Sequence, residues 1–176
     1  MVIWRSLRVI IIALLLGVLL LLALAEPALA SVHTYHEQPG QTTYRSRQSL
    51  RDQNDLAWQA TVFKRYTPEG VQGVYLRVVG FPGQGTVDRQ GSLAVQTDTS
   101  AQWLAPPQVD PQTTQVLPDN VAQYDVEAVL SQLQRPIPLT LEVPLAQASP
   151  ARLVVAPYVV AEWLQIYTMT DTTKPE

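Results

Sequence analysis

Residues 56–79 read LAWQATVFKRYTPEGVQGVYLRVV, two apolar-rich runs on either side of a turn signal. Its first half, Leu56 to Tyr66, is rich in aromatic and β-branched side chains: Trp58, Thr61, Val62, Phe63 and Tyr66. Such residues suit a pleated, half-buried surface, so the segment is expected to be a strand. Pro68-Glu69-Gly70 marks a turn. Val71, Val74, Leu76 and Val78 then form the partner strand of an antiparallel hairpin. Phe81-Pro82-Gly83-Gln84-Gly85 ends it sharply.

Toward the C-terminus, Val87–Gln90 and Ser92–Thr97 read as two short further strands around Gly91. Trp103 leads into Ala105–Pro118, which holds Pro106, Pro107, Pro111 and Pro118 and has neither helical nor strand period. A long surface loop is expected there, and such loops are often functional. Val126, Val129, Leu130 and Leu133 then repeat at i, i+3, i+4, i+7, the signature of one helix face. Asp125 is placed to cap that helix, Glu127 suits its positive end, and Pro136 stops it. Leu139, Leu141 and Val143 alternate with Thr140 and Glu142 as in a half-buried strand, and Arg152–Val155 is another short strand. Pro157 sits where a helix tolerates a missing N–H. Val160, Trp163, Leu164 and Tyr167 follow at helical spacing, and Thr170–Glu176 is a polar tail. The expected fold class is α+β: a mainly antiparallel sheet with two helices packed on one face, in a single domain over residues 44–169.

Toward the N-terminus, residues 44–55 are polar, and residues 31–43 read as an extended arm with a turn at Pro39-Gly40. Residues 1–30 are of another kind. Arg5 and Arg8 precede an apolar run from Val9 to Ala25, then Glu26-Pro27 and Ala28-Leu29-Ala30. This reads as a secretory signal peptide cleaved before Ser31. No Cys follows, so lipoprotein anchoring is excluded. The alternative is an uncleaved anchor, although 17 apolar residues lie at the lower limit for spanning a bilayer. Either way the positive end stays cytoplasmic and the domain folds across the membrane.

The 176-residue chain has no Cys and a net charge of −3; residues 31–176 carry 10 Lys and Arg against 14 Asp and Glu. Disulfides, thiolate nucleophiles and Cys-ligated metals are excluded. An acidic domain with two lysines is a poor general nucleic-acid binder, which would need many phosphate-neutralising cations.

The two histidines, His33 and His36, both lie in the arm, so no Ser-His-Asp triad is expected without arm docking. His33-Thr34-Tyr35-His36-Glu37 is not the H-E-x-x-H zinc motif. If cleavage falls before Ser31, the mature chain begins Ser31-Val32-His33. Its amine, two amides and imidazole would then form a square-planar site suited to Cu(II) or Ni(II). No other cofactor is expected. The acids Asp88, Asp98, Asp110, Asp119, Asp125, Glu142 and Glu162 are scattered, with no spacing that demands a joint acid–base role.

Arg45, Arg47 and Arg51, with Lys64-Arg65, are half of the cations beyond residue 30. Arg45 and Arg47 share one face if their segment is extended. Guanidinium forks suit carboxylates and phosphates, so the strip is a candidate to dock an anionic membrane surface or an acidic partner. The bland alternative is a solvated face paired with Asp52 and Asp55. Among the aromatics, Trp58 and Trp163 are expected in the core, and Trp103 is the one expected to be exposed.

Several phrases taken together resemble the DUF3122 family of small exported proteins, known chiefly from cyanobacteria. They are Tyr44-Arg45-Ser46-Arg47-Gln48-Ser49-Leu50-Arg51-Asp52, Trp58-Gln59-Ala60, Tyr75-Leu76-Arg77-Val78-Val79-Gly80-Phe81-Pro82-Gly83, Gln123-Tyr124-Asp125-Val126 and Val159-Val160-Ala161-Glu162-Trp163. The resemblance covers about residues 33–165. It implies an oxygenic phototroph and a home in the thylakoid lumen or periplasm. It carries over no functional residues, because no activity is assigned to the family.

The sequence thus leads to the expectation of a non-enzymatic lumenal or periplasmic accessory protein. It would bind a membrane protein complex, such as one of the photosynthetic apparatus, through Arg45, Arg47 and Arg51, or through the 105–118 loop beside Trp103. The alternatives are a module for a sugar, lipid or pigment built on Trp103 and nearby tyrosines, and a Cu(II) or Ni(II) binder using Ser31, Val32 and His33.

Overall fold

A computed structural model describes residues 33–38, 41–83, 85–108 and 117–170. Outside them lie the expected leader, Ser31, Val32, Pro39-Gly40, Gln84, residues 109–116 of the proline stretch and the tail from residue 171. In chain order the elements are β1 (His33–Gln38), β2 (Gln41–Arg51), β3 (Ala57–Thr67), β4 (Gly70–Gly80), β5 (Leu93–Thr97), β6 (Gln102–Ala105), β7 (Val121–Asp125), α1 (Glu127–Gln132), β8 (Leu139–Val143), β9 (Ala151–Val155) and α2 (Pro157–Thr168).

The hairpin of residues 56–79 forms as β3 and β4, with Val62 opposite Leu76 and Trp58 opposite Gly80. Gly70 takes φ 126° at the turn, a conformation that side chains beyond glycine rarely adopt. Around this hairpin grows a five-stranded sheet of order β1-β2-β3-β4-β7. A second sheet of order β6-β5-β8-β9 packs against it, and all pairings in both sheets are antiparallel. The α+β class holds, with two sheets where one was expected. Residues 33–38 and 41–43, read as an arm, are extended and paired: Tyr35 stands opposite Thr43, and Thr43 opposite Arg65.

The proline stretch is less loop-like than its composition suggests. Trp103 and Leu104 belong to β6, and the Asp125 N–H donates to Pro106 O at 3.0 Å. Gln108 N–H donates to Gln123 O at 2.8 Å. Residues 106–108 therefore run along the free edge of β7. Of the two short strands expected around Gly91, the second forms as β5, whereas Val87 makes only an isolated bridge to Leu145.

One core lies between the sheets and under the helices. Leu76 and Tyr124 from the first sheet meet Leu141 and Leu153 from the second and Trp163 and Ile166 from α2. Fully burying a side chain of this size contributes about 1.5–3 kcal/mol. The inward stripe of α2 is Val159, Val160, Glu162, Trp163 and Ile166, while Leu164 and Tyr167 are only half-buried. The face is thus turned from the expected Val160, Trp163, Leu164, Tyr167 stripe, and it carries a carboxylate inward. Lys64 Nζ donates to Tyr167 O (2.7 Å) and Met169 O (2.8 Å), and Tyr66 Oη also donates to Met169 O. These donors satisfy carbonyls that the end of a helix leaves without partners.

Candidate functional site

Alternation along the strands decides which groups share a surface. On β2, Ser46 is buried, Tyr44 is buried, and Arg45 and Arg47 point the other way. Register then adds arginines that are far apart in the chain. Arg45 stands opposite Phe63 and Arg47 opposite Thr61; Thr61 in turn stands opposite Arg77 on β4. Arg65, opposite Thr43, completes the set. Arg45, Arg47, Arg65 and Arg77 therefore ring Phe63 and Thr61 on the outer face of the five-stranded sheet, the face opposite the helices.

The four side chains line a shallow concavity of about 250 Å³ with Thr43, Gln59, Thr61, Phe63 and Val79. Among the described residues, no carboxylate lines it. Three of the guanidiniums lie against aromatic rings. Arg45 lies 3.4 Å from the centroid of Tyr35, and Arg77 and Arg65 lie 5.5 and 5.7 Å from that of Phe63. Arg77 also donates to Gln123 Oε1 through Nε (3.1 Å) and through a terminal nitrogen (2.7 Å). Stacking holds these three forks in place, and hydrogen bonding adds to it at Arg77.

Arg51 stands apart. It donates to Asp55 O at 2.7 Å, pairs with the Asp55 carboxylate at 3.3 Å, and does not line the concavity. For Arg51 the paired reading describes the structure. Asp52, by contrast, serves its own turn: it accepts from Asn54 and Leu56 N–H and from Trp58 Nε1. Lys64 is separated from Arg65 by the same alternation and faces α2.

Trp103 corrects the expectation of an exposed aromatic. It stands opposite buried Val95, is half-buried against the core, and donates its indole N–H to Gln132 Oε1 at 2.9 Å. Leu104, one position on, is the exposed residue of that strand. Trp58 and Trp163 are buried as expected. Of the candidate metal residues, Ser31 and Val32 lie outside the described residues, and His33 opens β1 opposite Arg45.

A second concavity of about 390 Å³ lies at the seam of the sheets, lined in part by Asp52, Gln53, Trp58, Phe81, Leu145 and Ser149. Its polar groups are largely engaged in structure: Asp52 as above, and Gln53 with Pro150 O and the Arg152 N–H. The arginine concavity is the more selective surface. Arg77 escaped the sequence reading, and Arg65 entered it only as a neighbouring cation, because only the β2–β3–β4 register brings the two beside Arg45 and Arg47. The signal available was parity, since Arg77 alternates with inward Leu76 and Val78.

No curated protein and no solved structure matches the chain. The model of one family, described as a protein of unknown function (DUF3122), matches residues 30–166. That match spans both sheets and all but the last two residues of α2, and on it the chain belongs to the DUF3122 family.

Proposed function

We propose that this protein is a non-catalytic accessory module that docks an acidic surface of a membrane protein complex, on the exported side of the membrane, through the outer face of its five-stranded sheet. The single observation that carries this reading is the ring of Arg45, Arg47, Arg65 and Arg77 on a face that neither helix covers, in a domain that is acidic overall. Clustered guanidiniums within a domain of opposite net charge orient an approaching acidic partner and raise its association rate. The apolar run of residues 9–25 ahead of Ala28-Leu29-Ala30 supports the exported setting, in the thylakoid lumen or the periplasm.

The test is co-purification from gently solubilised native membranes with a tag after Glu176, read by mass spectrometry. Enrichment of one membrane complex, reduced in Arg47→Glu and retained in Arg51→Glu, supports the proposal. Equal recovery with Arg47→Glu, or recovery of the bait alone, refutes it.

A further inference from the structure

Two features of the arginine concavity go beyond a generally basic surface. The first is its scale. About 250 Å³ is the room of roughly eight waters, and below the 300–1,000 Å³ of pockets for drug-sized ligands. It can hold one compact anion or one acidic side chain. The second is Thr43. This residue is 2% exposed, lines the concavity, and its Oγ1 has no hydrogen-bond partner among the described residues. Buried hydroxyls are ordinarily paired, so an orphaned one in the lining that it shares with four arginines points to a ligand oxygen.

The arrangement also favours a particular anion. Arg47 and Arg77 flank Thr61 from the two neighbouring strands, two strand spacings of about 4.8 Å apart. Arg45 lies one row away, opposite Phe63, and Arg65 two rows away, opposite Thr43. The four arginines thus stand around Thr61 and Phe63 and line one concavity. A carboxylate offers two oxygens in one plane; a tetrahedral dianion offers four in three dimensions and offsets more of the mutual repulsion of the arginines. The rings of Tyr35 and Phe63 and the amide of Gln123 hold the guanidiniums before any ligand arrives, which lowers the ordering cost of binding.

We infer that the concavity binds one free phosphate-class oxyanion, and that this anion competes with the acidic partner for the same guanidiniums. The inference rests on the docking reading and adds regulation to it: docking weakens when the oxyanion is abundant.

The test uses the mature domain, residues 31–176, and calorimetric titration with inorganic phosphate at fixed ionic strength, with chloride as the matched control. One-to-one saturation by phosphate and none by chloride is expected. Arg47→Gln with Arg77→Gln should weaken it about tenfold or more, as charge-assisted pairs are lost. Thr43→Val should weaken it a few-fold while leaving the unfolding midpoint unchanged or higher, since the hydroxyl has no protein partner to lose. Absence of phosphate heat overturns the inference, as does equal heat in the arginine variant. Vesicles of phosphatidylcholine with phosphatidic acid form a further arm: binding to them without response to free phosphate also overturns it, by moving the ligand to a headgroup. Co-purification of the membrane complex in phosphate-free buffer, measured separately, shows whether the docking reading survives such a failure. Recovery that phosphate does not lower overturns the competition.

Discussion

Ser46, which sits between Arg45 and Arg47 in the chain, donates its hydroxyl to the carboxylate of Glu162 on α2. Gln48 Nε2 reaches the same carboxylate, 3.3 Å from each oxygen. Glu162 is 4% exposed and Ser46 is fully buried. The inner face of β2 is thereby pinned to the helix, and the pinned strand presents Arg45 and Arg47 on its other face. A buried carboxylate without donors would be strongly destabilising; here two side chains supply them.

Glu162→Ala should therefore cost about 1–3 kcal/mol, the penalty of leaving buried donors unsatisfied. Glu162→Gln keeps an acceptor for Ser46 and should cost less. Urea unfolding of the two variants checks the order. Equal stability of Glu162→Ala and the unmutated protein would remove this contact from the account.

Lys64→Met keeps most of the aliphatic stem and removes the cation that bonds Tyr167 O and Met169 O. Hydrogen bonds to charged groups contribute about 1.5–3 kcal/mol each, less where solvent competes, so a loss of about 1–2 kcal/mol is expected. The change should also be local. Amide exchange should quicken in the last turn of α2 and stay slow around Leu141.

Tyr124 gives the fold an alkaline limit. Its side chain is fully buried, its hydroxyl has no hydrogen-bond partner among the described residues, and burial together with the negative charge of Asp88 raises its pKa above the ordinary value near 10. Below about pH 10 the phenol is neutral in both states and contributes no pH dependence. Above it the unfolded chain loses this proton first, so the unfolded state binds fewer protons and stability falls as pH rises, at up to about 1.4 kcal/mol per pH unit. Tyr124→Phe should abolish this component. At neutral pH it should be neutral or stabilising, because it removes an unsatisfied polar atom. Unfolding midpoints from pH 8 to 11 decide both points.

The residues show which parts of this structure are legible in a sequence. The β3–β4 hairpin, β8 and α2 are written locally, in alternation, a turn tripeptide and a proline at the helix start. β7 is not. Val121, Ala122, Gln123 and Tyr124 are all buried, so the strand has no period, and it follows Pro118-Asp119-Asn120 and runs straight into α1. The division into two sheets is equally hidden, because pairing partners such as β5 and β8 lie far apart in the chain. The inward turn of Glu162 is hidden for another reason. A stripe through Val159, Trp163 and Ile166 includes position 162, but hydrophobicity alone assigns a glutamate to solvent. The site was half legible: Arg45 and Arg47 follow from spacing, Arg65 and Arg77 only from register, and Arg51 is withdrawn by Asp55.

Docking through the arginine face is separated from net charge by two double variants. Arg45→Glu with Arg47→Glu and Arg135→Glu with Arg152→Glu change the domain charge equally, but only the first pair lies on the concavity. Both should be matched for unfolding midpoint and then compared for recovery of the membrane complex from solubilised membranes. Near-complete loss is expected with the first pair, and recovery close to that of the unmutated protein with the second. Equal loss with both pairs, or full recovery with the first, would contradict docking through that face.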